Sequence, residues 1–176
     1  MIFITTKKKG IFFSIIIVFI INLFLLKDYL PEKFIINFSY SMPVGVYVVI
    51  SNENDVNYEI GDIVAIVPPN DVKKLMISRG YLKEKQYLLK EIKGLEGQKY
   101  HTVNDLAYVD DKYIGQIFKV DSQNRPLPRF LGEHTIPKGY FLPIADNRPN
   151  SYDGRYFGFL KIEDIKYKLY PLITFK

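Results

Sequence analysis

Ser41 lies in the segment Asn37-Phe-Ser39-Tyr-Ser41-Met-Pro43-Val-Gly45-Val-Tyr47, a short way beyond an uncharged apolar run. A serine hydroxyl is a weak nucleophile at neutral pH and needs a base within hydrogen-bond reach. The chain has no cysteine and two histidines, His101 and His134, neither in a recognisable triad motif, so the available base is a lysine. The same counts exclude disulfides, thiolate nucleophiles, cysteine-ligated zinc and a His-rich metal site. Nothing in the pattern calls for a metal or cofactor.

A lysine acts as a base only when neutral, and burial achieves this because desolvation disfavours the ammonium. Lys90 suits such an environment, standing among Leu88, Leu89 and Ile92 and ahead of Gly94 and Gly97. Lys93 is its rival. Three positions apart on a continuous strand, the two lysines face opposite sides, and either reads equally as a solvated charge. A third segment, Asp146-Asn-Arg148-Pro-Asn-Ser151-Tyr-Asp153-Gly-Arg155-Tyr-Phe-Gly158, supplies hydroxyl, carboxylate and guanidinium groups for such a pair, or for an ordinary polar turn.

Positioning these groups falls to a body that reads as β. Beyond Pro31, short apolar runs broken by turn residues predict strands over 44–50, 63–67, 87–92, 106–109, 113–120, 140–143 and 165–169. A helix or lid is expected over 71–79 and an irregular loop over 121–129. An apolar share of 48%, with 13 Phe and 14 Tyr, suits a β-rich core, and 176 residues make one such domain plus its N-terminus.

Residues 11–26 carry no charge. At about 1.5 Å per residue they span roughly 24 Å, and Gly10 with a snorkelling Lys27 extends them toward the ~30 Å of a bilayer core. Bulky apolar residues on every face argue against a buried core helix, and the lack of small residues after Lys27 argues against a cleaved leader. Lys7, Lys8 and Lys9 orient the segment with its N-terminus inside. The expected organisation is a basic cytoplasmic N-terminus over 1–9, a transmembrane anchor over 10–27 and an exported domain over 28–176. The net charge of +5 comes from 24 Lys and Arg interleaved with 19 Asp and Glu. With no basic stripe, this speaks against nucleic acid as a partner and suits a domain beside anionic lipid.

Ser41-Met-Pro43, Lys90 ahead of Gly94-Leu-Glu-Gly97, and Asp146-Asn-Arg-Pro-Asn-Ser-Tyr-Asp-Gly-Arg155 resemble the three main boxes of type I signal peptidases. Those are membrane-anchored Ser-Lys endopeptidases that release exported proteins from their leader peptides. Asn37-x-Ser39-x-Ser41-x-Pro43-x-Gly45-x-Tyr47, Gly61-Asp-Ile-Val-Ala-Ile-x-Pro-Pro69, Arg125-Pro-Leu-Pro-Arg129 and Ser151-Tyr-Asp-Gly-Arg-Tyr-Phe-Gly158 are similar to the TraF branch, the conjugative-transfer signal peptidases.

The resemblance implies a mainly β, small antiparallel sheet or barrel-like catalytic domain behind one N-terminal transmembrane helix. It would sit in the bacterial inner membrane with that domain on the periplasmic side. Ser41 is then the nucleophile and Lys90 the base, and the Ser39 hydroxyl joins the Ser41 N–H in an oxyanion hole. Ser151 would orient the lysine, Asp153 and Arg155 would form a supporting ion pair, and Asp146 and Arg148 are structural candidates nearby. The implied substrate is a preprotein, added as a strand beside the Lys90 strand with pockets from Val44, Tyr87 and Leu89. In the TraF branch it is the pilin precursor of a conjugative type IV secretion system, which the enzyme can also cyclise. Membrane lipid and conjugation-apparatus proteins would be the other partners, with no cofactor.

Three other readings stay open: a housekeeping signal peptidase of broad specificity, a non-catalytic membrane-anchored assembly component that kept the fold, and a soluble self-cleaving Ser-Lys repressor, which should lack the anchor. Glu91, Glu96 and Gln98 stand where the general family box has Arg, Pro and Asp, and Ala145 where a glycine commonly precedes the Asp-Asn-Arg box. The cysteines that many TraF-like chains carry are missing.

Overall fold

The structure, a computed structural model, describes residues 14–18, 33–52, 57–145 and 148–175. The expected segment 1–9, most of the expected anchor 10–27, and Asp146 lie outside the described residues. Residues 14–18 are helical and exposed, and among the described residues no helix is long and apolar enough to cross a membrane. The chain separates into a unit Met1–Glu32 and a unit Lys33–Lys176.

The second unit is mainly β. In chain order it contains β1 (Phe34–Asn37), β2 (Val44–Asn52), β3 (Ile63–Ile66), α1 (Asn70–Ser78), β4 (Leu88–Leu95), β5 (Lys99–Val103) and β6 (Leu106–Val109). There follow β7 (Lys112–Gln116), β8 (Glu133–Thr135), β9 (Tyr140–Ile144), α2 (Gly154–Phe157), β10 (Leu160–Lys161) and β11 (Ile165–Phe175). Two antiparallel sheets result, in the orders β1-β2-β11-β3-β4-β9-β10 and β7-β6-β5-β8. Among the described residues no pairing closes either into a barrel. The strand expected over 113–120 ends at Gln116, and the one expected over 165–169 runs on to Phe175.

The middle of the larger sheet is buried on both faces, which is why β3 and β9 read as apolar runs and not as alternating patterns. Successive side chains still point to opposite faces. Val64, Ile66, Leu88 and Ile92 enter the main core with Tyr100, Phe141 and Tyr156, while Ala65 and Leu89 join a smaller cluster with Met42, Tyr47 and Leu169. Lys90 stands opposite Val64 in the ladder, so it shares the main-core face.

Gly45 serves a purpose other than a sharp turn after Ser41. It pairs with Thr174 of β11 where that strand's register shifts between Pro171 and Ile173. Its φ is +155, and a Cβ there would lie 2.1 Å from the Ile173 carbonyl oxygen. The close approach of two backbones therefore requires glycine. Gly45→Ala is expected to cost about 1–3 kcal/mol and to lower the thermal midpoint by about 2–12 °C, read by circular dichroism.

Candidate active site

Asn37 closes β1, and the chain then loops through Ser39 and Ser41 before entering β2. The Ser39 and Ser41 hydroxyl oxygens lie 2.8 Å apart in a hydrogen bond, and the Ser41 N–H points to Ser39 Oγ at 3.4 Å. Both contacts meet at Ser39 Oγ, which places the Ser39 hydroxyl and the Ser41 amide next to the Ser41 hydroxyl. Lys90 arrives from β4, 1% exposed, and donates to Ser151 Oγ at 2.9 Å. Burial pulls its ammonium down from the ordinary 10.5 to about 8; Asp153 acts against that pull and Arg155 with it. The two charges of that ion pair oppose each other at Lys90, which leaves desolvation to decide.

Asp153 and Arg155 are fully buried and joined by two parallel bonds, Nε to Oδ1 at 2.9 Å and the NH2 nitrogen to Oδ2 at 2.8 Å. The remaining donors of Arg155 reach the carbonyls of Gln116, Pro149 and Ser151, and Asp153 Oδ2 also accepts the Ala145 N–H. The pair therefore closes the 145–153 loop on itself and fixes the backbone of Ser151, whose hydroxyl holds Lys90. Arg155 lies against Gly115, where a Cβ would come within 2.5 Å of the guanidinium.

Ser39, Ser41, Lys90 and Ser151 line one cavity of about 710 Å³, together with Tyr87, Leu89 and Arg148. No direct hydrogen bond joins Ser41 to Lys90 among the described residues: each is held by a different serine. Catalytic hydrogen bonds commonly tighten only when substrate fills the site. Lys93 faces the other way, paired with Glu91 at 2.6 Å and lining a separate cavity near Arg155. Neither histidine lines the Ser41 cavity; His101 stacks on Tyr108 and His134 on Phe130.

Val44, expected near a substrate pocket, starts β2 and pairs with Phe175, and it is not among the residues that line the Ser41 cavity. The site also contains a residue that sequence reasoning passed over. Asn37, 3% exposed, bonds through its side chain to four backbone groups of the Ser41 loop. Its place at the head of the Asn37-x-Ser39-x-Ser41 pattern was the one available signal.

Residues 5–169 match the family described as signal peptidase, peptidase S26. The chain belongs to that family. Among its relatives, the signal peptidase I of Bacillus caldolyticus is 28% identical over 122 residues, covering 64% of this chain and 62% of its own length. A plasmid transfer protein TraF of Escherichia coli is 28% identical over 153 residues, covering 79% of this chain and 82% of the relative. The crystal structure of a signal peptidase I from Enterococcus faecalis superposes with a TM-score of 0.39 at 21% identity, over 66% of this chain and all of the other. The departures from the family pattern at Ala145 and Glu91 are accommodated: Ala145 packs in the smaller cluster, and Glu91 holds Lys93.

Proposed function

We propose that the chain is a membrane-anchored serine endopeptidase that cleaves leader peptides, with Ser41 as nucleophile and Lys90 as general base. The observation that carries this is Lys90 itself, a fully buried lysine tuned to about 8 in the same cavity as a serine flanked by two further donors. Substrate entering the cavity displaces the Ser39–Ser41 hydrogen bond. The Ser41 oxygen attacks the scissile carbonyl carbon as its proton passes to neutral Lys90, and the carbonyl oxygen gains its charge against the Ser39 hydroxyl and the Ser41 N–H. The peptide C–N bond then breaks, Lys90 protonates the departing amine, and an acyl-enzyme remains. Water attacks the acyl carbon as Lys90 takes one of its protons, and Lys90 then passes that proton to the departing Ser41 oxygen, which frees the carboxylic acid product and restores the pair.

The strand ladder supports the expected binding mode. Leu88, Leu89 and Lys90 pair with β3 on one side, whereas among the described residues β9 pairing begins only at Glu91. An extended substrate can therefore add as a strand next to Lys90. Membrane attachment is supported by exposed apolar side chains on neighbouring strands: Phe34 and Ile36 of β1, Ile50 of β2, and Tyr170, Ile173 and Phe175 of β11. They fit a domain resting on lipid on the outer side of the inner membrane.

Similarity to plasmid transfer proteins favours a conjugative pilin precursor as substrate, and similarity to signal peptidase I favours a broader set of preproteins. The test is to incubate the full chain in detergent micelles with a pilin precursor and with unrelated preproteins and to weigh the products intact. Release of a leader from the pilin alone supports the specialised reading, and a product lighter by one water marks cyclisation. Release from every preprotein supports the housekeeping alternative, and release from none overturns the proposal. In the same assay Ser39→Ala is expected to lower kcat by about 100- to 1,000-fold, as the loss of one oxyanion donor does.

A further inference from the structure

We infer that Asn37 is a positioning residue that holds the Ser41 loop in its reactive shape; the inference rests on Ser41 being the nucleophile. The Asn37 amide nitrogen donates to the carbonyls of Ser39, Met42 and Pro43 at 2.9, 3.1 and 3.0 Å, and its oxygen accepts the Ser39 N–H at 2.9 Å. These contacts bracket Ser41 in sequence, one carbonyl two residues before it and two carbonyls just after. Two N–H bonds serve three carbonyls, so one is shared. The orientation of the amide is unambiguous, because a flipped side chain would press its oxygen against three carbonyl oxygens.

The strand register explains why the loop needs this brace. Asn37 pairs with Gly45 at the loop end of the β1–β2 hairpin, so residues 38–43 lie beyond its ladder. Among the described residues their carbonyls have no strand partner, and one buried amide gathers three of them. Tyr47 adds a second tie, its hydroxyl reaching the Pro43 carbonyl at 2.6 Å. The resulting closed loop carries both hole donors and the nucleophile, so a loosened loop misplaces all three together. Displacements of about 1 Å can cost about 100-fold in rate.

Asn37→Ala and Asn37→Asp, in the full chain in detergent micelles, test this. The aspartate keeps the acceptor for Ser39 and removes both N–H donors. Both variants are expected to lose about 10- to 100-fold in kcat with KM within about twofold, to keep the pH midpoint set by Lys90, and to show faster amide hydrogen exchange over residues 39–44 while the core strands stay protected. Full kcat in Asn37→Asp, or a loss in both variants that only follows the folded fraction, overturns the inference. If the wild-type chain shows no cleavage dependent on Ser41, the functional proposal fails by itself. The exchange measurement still decides on Asn37: unchanged protection of residues 39–44 would show that it holds nothing.

Discussion

Replacing Lys90 by methionine is expected to lower peptide cleavage by about 100- to 10,000-fold, the range that a general base contributes, while making the fold more stable at pH 7. Both halves follow from one feature. In the wild type, cleavage depends on the neutral amine, so kcat/KM should rise with pH through about 8 and then level off. In Lys90→Met that rise disappears with the rate. Stability runs on the same proton. The folded state gives up the Lys90 proton at about 8 and the unfolded chain at 10.5, so between those values the unfolded state binds more protons and stability climbs with pH. Below pH 8 the buried ammonium costs the fold the whole step from 10.5 to about 8, about 3 kcal/mol at about 1.4 kcal/mol per pH unit. Methionine removes that cost, offset by about 1 kcal/mol for the hydrogen bond to Ser151. Urea denaturation at pH 7 and pH 10 reads both effects: the wild type should gain stability over this interval and the variant should not. A variant that cleaves normally sinks Lys90 as the base. One that is less stable than wild type at pH 7 contradicts the desolvation argument.

Asp153→Ala is expected to be the most damaging single change to the fold. It leaves the Arg155 guanidinium buried without a counter-charge, which typically costs about 3–5 kcal/mol. Against the roughly 5–15 kcal/mol that holds a domain together, this is enough to populate unfolded chains at ordinary temperature. The double change Asp153→Ala with Arg155→Leu separates stability from function, because replacing both partners by apolar side chains is often close to neutral. Denaturation should show most of the lost stability recovered. Activity should stay low, because the carbonyls of Ser151, Pro149 and Gln116 lose their common donor and Ser151 no longer holds Lys90 in place. Full activity in the double variant would mean that the ion pair only supports the fold.

The parts of the site that were legible in the sequence were those whose residue type is chemically conspicuous. A serine ahead of proline and two lysines on one strand narrowed the search to Ser41 with Lys90 or Lys93, the family resemblance pointed to Lys90, and the structure puts Ser41 and Lys90 in one cavity with Ser39 and Ser151. What stayed hidden depends on contacts from distant strands. Gly45 reads as a loop glycine because Ile173, which forces it, lies far down the chain. Asn37 reads as a turn residue because its partners are backbone carbonyls, which are the same in every sequence. In the second sheet, β5 went unseen because the β5–β6 and β6–β7 hairpins turn through Asn104–Asp105 and Asp110–Asp111, all at positive φ, without the glycine that usually advertises such turns. β1 is four residues long, too short for its alternation to stand out.

The pairing of β2 with β11 also orders events in time. Val44 and Gly45, which follow the Ser41 loop directly, find their partners in Phe175 and Thr174, with Gly45 and Thr174 129 positions apart (174 − 45). Pairings of such long sequence separation are slow to form, because the loop must close before they give anything back. A chain still emerging from the ribosome, or cut short before β11, has its Ser41 loop on a hairpin that lacks this neighbour. The cavity that holds Ser41 is therefore expected to take its final shape only once the last strand has been made.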